Sequence, residues 1–387
     1  MTDFDADAIV VGGGLTGIAA AIALAQSGLQ TIHLAPEAPP DHRTSALMQP
    51  SVSYLTGAGL IGAPGQIGHP LTQIRIIDAT PRLLRAPETL FDAAEAGLDA
   101  FGWNFANIRL TDSFQTAARA LPNLTTRPTA LASLTTNSEG SLLTLTDGTQ
   151  LRAPLVVGAD GKKSSVRATA GFAVHEHNFS QAALVCDLTL GRPLGGTSVE
   201  FHYPQGPFTL VPAGGNRANL VWIDDLAVLK QAQSLAPEAF IATLLEKSQR
   251  LFGAVALATP SFIFPLSTLT VDRAGADGIV LVGEAAHAFP PIGAQGLNLG
   301  LRDVADLSAA LASIDRTQPG WAARLSTDYA RRRAADLKRT GSMVDTLFRS
   351  LLQEMLPAQA LRAGGLWALK LSPALRKQAF GLGMGQL

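Results

Sequence analysis

Residues 12–17 restrict the fold of this 387-residue chain more than any other stretch. They form a G-x-G-x-x-G pattern between an apolar run at 7–11, typical of a buried parallel strand, and apolar residues at helical spacing up to residue 28. The first glycine permits a tight turn, the second lets the backbone approach a pyrophosphate, and the third lets helix and strand pack closely. A second strand at 30–34 completes a β-α-β unit, which predicts an open, mostly parallel sheet. The residues expected to hold a dinucleotide are Gly12, Gly14, Leu15, Thr16 and Gly17.

The end of the second predicted strand departs from the usual pattern. Dinucleotide-binding units commonly place Asp or Glu there to bind a ribose hydroxyl. Ala35 occupies that position in this chain, and Glu37 in the following loop is the candidate substitute. The motif therefore predicts a dinucleotide whose adenosine end is held differently.

A central segment, residues 156–167, predicts another strand of the same kind. The strand ends in Asp160-Gly161, and a helix that Ser164 can cap follows. Taken alone, this pattern fits a functional site and an ordinary strand-to-helix turn equally well.

A late segment, residues 282–303, runs from a strand through a Pro/Gly loop into a long helix. Glu284 lies at the carboxyl end of the strand, where ligands of such sheets bind, and its carboxylate could accept hydrogen bonds from a polyol. The helix start could stabilise negative charge on a ligand ring. We interpret His287 as a residue that holds the loop by a hydrogen bond rather than as a general base. The loop and helix start contain Pro291, Gly293, Gly296, Leu297 and Asn298.

The order of these three segments resembles that of the aromatic-hydroxylating class of FAD monooxygenases. That class has an N-terminal G-x-G-x-x-G, a central G-A-D-G-x-x-S-x-V-R and a late G-D-A-A-H…P-x-x-G. The chain departs from it at Glu284, which replaces Asp, and in the order of residues 293–296. Within the class, residues 43–47, 206–212 and 295–303 are most similar to the ubiquinone-biosynthesis hydroxylases, which act on polyprenylated phenols.

The resemblance implies a cofactor, a reaction and several site residues. FAD would be bound, with Arg43 and Arg109 near it and Asp160, Gly161 and Glu284 in contact with it. NAD(P)H would act as a transient reductant, because no second dinucleotide fingerprint is visible. O₂ would add at the flavin C4a carbon, and the resulting hydroperoxide would hydroxylate a phenolic ring.

The loop and the central strands supply candidates for the reaction chamber. Pro291 and Gly293 are expected to form the wall beside the reacting carbon. The floor would be an antiparallel sheet whose candidate pocket residues are Phe201, Phe208, Leu210 and Pro212. Arg217 is the only guanidinium near them, which favours an uncharged, lipophilic phenol over a carboxylate-bearing substrate.

The predicted fold is α/β, with a Rossmann-like FAD-binding parallel sheet, an inserted antiparallel-sheet substrate domain and a C-terminal helical region. The FAD-binding domain is expected at 1–70, 97–180 and 271–330, the substrate domain at 71–96 and 181–270, and the helical region at 331–387. No helical periodicity is evident between 182 and about 235.

Composition excludes several classes of protein and leaves others open. The net charge of −1 argues against a nucleic-acid partner, and no cluster has the spacing of metal ligands. The single Cys186, the acidic start and the lack of a long apolar run predict a cytoplasmic protein. The apolar and basic stretch at 366–380 is either an amphipathic helix packed on the FAD domain or a foot that contacts the inner membrane. Association with other quinone-biosynthesis proteins is a further hypothesis.

Three other functions remain as alternatives. The chain could hydroxylate a small soluble aromatic acid, or it could be an FAD/NAD(P)H reductase or redox sensor without oxygen insertion. It could also be an inactive nucleotide-binding scaffold, which Ala35 would allow.

Overall fold

The computed structural model describes residues 4–81, 85–137, 139–291 and 293–352, together with residues 367 and 372. Apart from 367 and 372, the predicted membrane foot at 366–380 lies outside these residues. The strands, in chain order, are β1 (Ala8–Val11), β2 (Thr31–Leu34), β3 (Thr44–Met48), β4 (Gly68–Leu71), β5 (Gln73–Asp78), β6 (Thr89–Asp92), β7 (Gly102–Ala106), β8 (Leu124–Arg127), β9 (Leu131–Asn137), β10 (Gly140–Leu145), β11 (Gln150–Ala153), β12 (Leu155–Gly158), β13 (Val174–Leu190), β14 (Thr197–Tyr203), β15 (Gly206–Pro212), β16 (Arg217–Asp225), β17 (Val255–Leu257), β18 (Phe262–Val271), β19 (Gly275–Ala276), β20 (Ile279–Leu281) and β21 (His287–Ala288).

The described helices lie mainly on the two sides of these strands. The α-helices are α1 (Leu15–Gln26), α2 (Gln49–Gly57), α3 (Asn107–Arg119), α4 (Ser165–Thr169), α5 (Leu226–Gln233), α6 (Pro237–Lys247), α7 (Gln295–Ala312) and α8 (Trp321–Leu352). Short 3-10 turns lie at Pro64–Gln66, Ala93–Ala96 and Gly283–Ala285.

The first sheet is parallel apart from one edge strand. Among the described residues its strand order is β19-β20-β12-β1-β2-β8, and only the β19–β20 pair is antiparallel. Every residue of β1, β2, β12 and β20 is buried, because helices cover both faces of the sheet. The alanine-rich α1 packs closely against α3 and α7. The sheet thereby brings the carboxyl ends of β1, β12 and β20 to one edge.

The second sheet is larger and mostly antiparallel. Its main strand order is β21-β18-β13-β16-β15-β14-β5-β6, with β17 beside β13, and only the β14–β5 pair is parallel. One face, which we call the helix-covered face, packs beneath α5 and α6. The side chains buried between this face and the two helices include Leu184, Phe201, Phe208, Leu210, Trp222, Leu229, Phe240 and Leu244.

The opposite face, which we call the cleft face, looks toward the small sheet β3-β7-β4. Val211 of the cleft face and Ala46 and Met48 of β3 pack against one buried cluster, which consists of Leu71, Phe91, Ala93 and Phe101. The Asn104 side chain in β7 donates hydrogen bonds of 2.8 Å to the Pro212 carbonyl oxygen and 2.7 Å to Asn219 Oδ1. These contacts fix the small sheet, and the FAD-domain elements attached to it, against the cleft face.

The architecture confirms the predicted fold class and corrects one detail. The sequence shows no helical periodicity before about residue 235, but α5 already begins at Leu226. With eight residues, of which only Leu229 and Ala232 are buried, α5 is too short to show a repeating apolar face. Two of the predicted domain limits, between 180 and 181 and between 330 and 331, fall inside β13 and α8.

Candidate functional site

The three sequence segments meet at the carboxyl edge of the parallel sheet. A Cβ atom on Gly12 would lie 2.2 Å from the Ala159 carbonyl oxygen, so the first segment touches the second at a distance that only glycine permits. Thr16 packs against the third segment, since a Cβ on Gly283 or Gly300 would lie 3.1 Å or 2.7 Å from its side chain. Residues far apart in the chain thus form one site.

The amino end of α1 is open toward this site. Gly14 precedes the helix without any side-chain cap, and nothing lies within 4 Å of the position its Cβ would occupy. Gly12 has a φ of +127°, while Gly17 packs so tightly that a Cβ would lie 2.0 Å from the Gly12 carbonyl oxygen. Free amide groups at a helix amino end and the partial positive charge there attract a phosphate group.

A buried histidine supports this turn. The His33 Nε2 atom in β2 lies 2.9 Å from the Gly12 carbonyl oxygen, and burial lowers the pKa of His33. The neutral ring can donate its Nε2 hydrogen to that carbonyl. Sequence reasoning missed this residue, although a histidine inside an otherwise apolar buried strand was the available signal.

The central segment is organised around two of its own side chains. Asp160 accepts hydrogen bonds from the Ser164 hydroxyl at 2.5 Å and from the Ser165 amide at 2.7 Å. The Ser164 hydroxyl in turn accepts the Arg167 amide at 3.0 Å, as expected for a helix cap. Asp160 therefore shapes the start of α4, and Gly161 beside it is open on its Cβ side. Its predicted contact with the cofactor stays a prediction.

Arg167 connects the central and late segments. The side chain is 8% exposed, and it donates hydrogen bonds to the carbonyl oxygens of Ala285 at 2.8 Å and Lys162 at 2.6 Å. The sequence motif contains this arginine, but its spacing alone does not reveal that it spans two segments. Arg167 positions the turn that carries Glu284.

A buried ionic network holds the late segment from behind. Asp303 accepts hydrogen bonds from the Gly283 amide at 2.8 Å and from Arg333 Nε at 2.7 Å, and it lies 2.6 Å from His287 Nε2. Although burial opposes ionisation, His287 and Arg333 hold the pKa of Asp303 below its usual value. The contact agrees with a loop-holding role for His287. No role was predicted for Asp303 or Arg333 from the sequence, because these two residues, which pair with each other, lie on different helices.

The amino end of α7 is the second open helix terminus. Ala294 precedes the helix in the left-handed conformation at a φ of +54° without capping it through a side chain, and Gly296 is exposed with open space on its Cβ side. Asn298 is buried and accepts the Met48 amide at 2.9 Å while donating to the Ala46 carbonyl oxygen at 2.9 Å. Asn298 thus ties α7 to β3 and leaves the backbone of Gly296 and Leu297 facing the site.

The predicted charged residues Arg43, Glu284 and Arg109 differ in their pairing and exposure. Arg43 pairs with Asp41, 2.8 Å from Nε to Oδ1, and this hydrogen bond, reinforced by Asp41 and Glu284 charges, raises the pKa of Arg43. Glu284 is exposed on its 3-10 turn. Arg109 is exposed on the first turn of α3 and makes no ion pair within the part of the chain described. Arg43 and Glu284 thus share one electrostatic environment.

The adenosine end differs from the usual dinucleotide site, as the sequence predicts. Ala35 follows β2 and contacts the glycine turn, since a Cβ on Gly13 would lie 3.2 Å from the Ala35 Cβ. Glu37 is exposed in the following loop. No carboxylate therefore lies at the strand end itself.

The loop between the late strand and α7 has the exposure expected of a chamber wall. Pro291 and Gly293 are exposed, and Gly293 has a φ of +67°. The preceding β21 pairs with β18 of the large sheet, which brings the loop to the junction of the two sheets. The position of Pro291 and Gly293 beside the reacting carbon stays a prediction.

The predicted pocket floor was wrong in its choice of face. Phe201, Phe208 and Leu210 are fully buried under α5 and α6 on the helix-covered face, so they cannot line an open chamber. Pro212 is also buried, and its carbonyl oxygen accepts a hydrogen bond from Asn104 of the small sheet. Strand alternation places their neighbours, including Thr209 and Val211, on the cleft face.

These features define a Rossmann-type site for a dinucleotide. The amino end of α7 could bind a ring that belongs to the same dinucleotide. The residues fit FAD: α1 presents open amides for a pyrophosphate, α7 presents a second set for a flavin ring, and Gly14, Gly161 and Gly296 leave space. Among the described residues, no group of His, Cys, Asp and Glu could hold a metal ion.

Comparison with known proteins gives the same result. The family model described as an FAD binding domain matches residues 5–340. Over 99% of its length the chain is 32% identical to the ubiquinone hydroxylase UbiL of Rhodospirillum rubrum, covering 90% of that protein. It is also 32% identical to the 3-demethoxyubiquinol 3-hydroxylase of Escherichia coli, with both chains covered completely.

Solved structures share the fold at lower identity. The p-nitrophenol 4-monooxygenase PnpA of Pseudomonas putida superposes with a TM-score of 0.79 at 19% identity, covering 98% of each chain. PqsL of Pseudomonas aeruginosa gives a TM-score of 0.79 at 20% identity, covering 94% of this chain and 99% of that chain. The chain belongs to the family of FAD-dependent monooxygenases that includes the ubiquinone hydroxylases. The predicted family, enzyme class and FAD cofactor are thereby confirmed, with NAD(P)H as the reductant typical of this class.

Proposed function

We propose that this enzyme hydroxylates the ring of a polyprenylated phenol in ubiquinone biosynthesis. The observation that carries the proposal is the identity of 32%, along the whole chain, with two hydroxylases named for ubiquinone or demethoxyubiquinol. The character of the cleft face supports it, because Arg217 of β16, the guanidinium predicted from the sequence to lie near the pocket, is already paired with Asp187 at 3.2 Å. A carboxylate-bearing substrate would require a free and well-placed guanidinium there.

Different residues of the site would bind different parts of FAD. Gly14, Leu15 and Thr16 would offer the amides of α1 to the pyrophosphate, and Glu284 would accept hydrogen bonds from the ribityl hydroxyls. Arg43 and Arg109 would face the phosphate and ring region, from the residue before β3 and from the first turn of α3. When bound, FAD supplies the electron transfer from NAD(P)H and the activation of O₂, which side chains cannot provide.

The protein contributes position, electrostatics and the exclusion of water. The open amides of Gly296 and Leu297 would stabilise negative charge on the ring, and Asn298 keeps that helix end against β3. Pro291 and Gly293 would close the chamber on the side of the reacting carbon. The apolar side chains of the cleft face would keep the chamber dry, which limits wasteful loss of the activated oxygen.

The route by which a lipophilic substrate reaches the site is part of the proposal. None of the helices described is long and apolar enough to cross a bilayer. We propose that the protein collects its substrate by peripheral contact with the membrane surface or by association with other quinone-biosynthesis proteins.

Deletion of the gene in its native host tests the function. We expect ubiquinone to fall and a prenylated precursor lacking one ring oxygen to accumulate, and the wild-type gene should reverse both effects. Gly12→Ala should not restore ubiquinone, because its Cβ would clash with Ala159, whereas Gly57→Ala, with open space around it, should. An unchanged quinone profile in the deletion strain would contradict the proposed function.

A further inference from the structure

Two neighbouring aromatic rings on the cleft face are exposed. Phe262 is 56% exposed and Phe264 is 43% exposed, and both lie on β18 with a single residue between them. Exposed apolar side chains that stand alone are common, but an adjacent pair on one sheet face indicates a surface that binds something. The free energy cost of hydrating both rings requires an explanation.

The two rings belong to a continuous apolar strip. Phe262 and Phe264 pair with Val185 and Ala183 of β13, and those pair with Val221 and Ile223 of β16. Directly opposed residues of antiparallel strands point to the same face. We define these six residues as the apolar strip: Ala183, Val185, Val221, Ile223, Phe262 and Phe264. Ala183 and Ile223 are buried, so the contacts open to a ligand come from Val185, Val221, Phe262 and Phe264.

One end of the apolar strip joins the reaction chamber. Val221 pairs with Thr209 of β15, and the next cleft-face residue of that strand, Val211, packs against the same buried cluster as Ala46 and Met48 of β3. Asn298 holds the same strand against the open end of α7. The strip therefore runs from beside the proposed flavin position outward to the exposed rings.

Polar residues limit the strip on β13 and β16. On β13 it is limited by Gln181, which donates to Asp225 at 3.3 Å, and by Asp187, which accepts from Asn219 at 2.6 Å. From β16 to β18 the strip crosses two inter-strand spacings, about 10 Å in all. Its members carry no charge and no hydrogen-bonding side chain. A long, narrow, uncharged path of this kind suits a flexible hydrocarbon chain.

We infer that the apolar strip binds the isoprenoid tail of the substrate, with the ring inside the chamber and the tail emerging at Phe262 and Phe264. The inference rests on the proposed function and adds the location of the tail. The continuity of the strip with the chamber favours a tail attached to the reacting ring. A second protein copy or a membrane surface would need only the exposed rings and not the partly buried Val185 and Val221.

The test compares two substrates that differ only in the tail. One is a phenol with a geranylgeranyl chain and the other is the same phenol with a methyl group, both presented in the same mixed micelles to the FAD-loaded enzyme. For the double variant Phe262→Ser/Phe264→Ser, KM for the tailed phenol should rise about tenfold or more, because the tail loses apolar contact. KM for the methyl phenol and kcat for both should stay unchanged.

A matched variant and a binding measurement complete the design. Leu257→Ser removes a side chain that is 37% exposed beside the same strand β13 but on the helix-covered face, and it should change neither KM. Binding of each phenol to the oxidised enzyme, followed by flavin fluorescence, should show the same difference in Kd without turnover. Thermal melting and FAD content confirm that each variant is folded.

The possible failures are distinguishable. If wild-type enzyme binds the tailed phenol more tightly but hydroxylates neither compound, the proposed function fails and the tail site stands. If the double variant affects both phenols equally or neither, the tail site is wrong. A change only in oligomeric mass, or only in binding to phosphatidylcholine vesicles, would also overturn it in favour of a second copy or a membrane surface.

Discussion

Ala35 replaces the carboxylate that commonly binds the adenosine ribose, and its position in the structure makes the consequence measurable. Its Cβ lies against the glycine turn, so a longer side chain at this position would start where the ribose is expected. The phosphate end, by contrast, retains its full set of glycines and an open α1 terminus. We therefore expect the pyrophosphate and the flavin ring to provide most of the FAD affinity.

Restoring the carboxylate with Ala35→Glu should tighten FAD binding about tenfold, the gain expected from one hydrogen bond to a charged acceptor. Titration of apoprotein with FAD measures the change. Ala35→Gln has nearly the same shape without the charge and should give a smaller gain. Equal affinities for all three proteins, together with weaker binding by Glu37→Gln, would show instead that Glu37 already holds the ribose.

His33 makes stability sensitive to pH below neutrality. Burial lowers the pKa of His33 in the folded protein relative to the unfolded chain, where it is about 6.5. The unfolded state therefore binds more protons, so the contribution of His33 is complete above about pH 6.5 and is lost as the pH falls below it. His33→Gln keeps a donor for the Gly12 carbonyl oxygen but cannot titrate.

Urea unfolding at pH 7.5, 6.0 and 5.0 provides the test. The wild type should lose free energy of unfolding between pH 6.5 and 5.0, and His33→Gln should lose clearly less. His177→Gln, which alters an exposed ring, should retain the wild-type slope. Identical slopes for all three proteins would refute a titrating role for His33.

At single positions, sequence reasoning succeeded where a residue acts through its own backbone or nearest neighbours. The glycine turn, the Ser164 cap and the missing acid at Ala35 are of this kind. It missed His33, Arg167 and Asp303, because each bonds to a group distant in the chain. Such partners become visible only when the sheets are assembled.

Among the elements, α7 is held by the most extensive network. Its Asp303 binds the Gly283 turn, His287 and Arg333 of α8, and Arg333 also pairs with Asp306 and Asp336. Tyr329 of α8 adds a hydrogen bond of 2.9 Å to the Leu281 carbonyl oxygen at the end of β20. The helix α8 thus braces both the strand and the helix that surround the late segment.

Asp303→Asn should lower the free energy of unfolding by about 3 kcal/mol, because it leaves the buried Arg333 with one fewer charge partner. FAD should also bind more weakly, since the Gly283 turn and α7 lose a common anchor. Chemical unfolding and FAD titration measure the two effects. Asp328→Asn, which removes a partly buried partner of the exposed Arg331 and Arg332, should cost less than about 1 kcal/mol. Equal costs for the two variants would contradict the bracing role.

The choice of sheet face shows a limit of sequence reasoning about elements. Alternation along β15 separates Phe208 and Leu210 from Thr209 and Val211, but it does not tell which set lies under helices. The more apolar set, Phe208 and Leu210, lies beneath α5 and α6, because packing against two helices buries more apolar area than lining a chamber does. Because α5 is short and has two buried residues, the sequence showed no helical periodicity from which a helix over this face could be predicted.

In the whole molecule, segments near residues 12, 160 and 283 meet because β1, β12 and β20 are adjacent and parallel. The three motifs together predicted this convergence, whereas each alone indicated at most a dinucleotide. The second sheet was predicted as an antiparallel unit, but its docking through Asn104 depends on contacts between distant residues. The result is one FAD site facing an apolar sheet.

The origin of the product oxygen tests this arrangement most directly. FAD-loaded enzyme, NAD(P)H and a prenylated phenol should be incubated under ¹⁸O₂, and the product analysed by mass spectrometry. We predict that the ring gains one ¹⁸O atom and that NAD(P)H oxidation is stimulated by the phenol. NAD(P)H oxidation that releases only hydrogen peroxide, or a product without label, would contradict a hydroxylase and indicate a reductase.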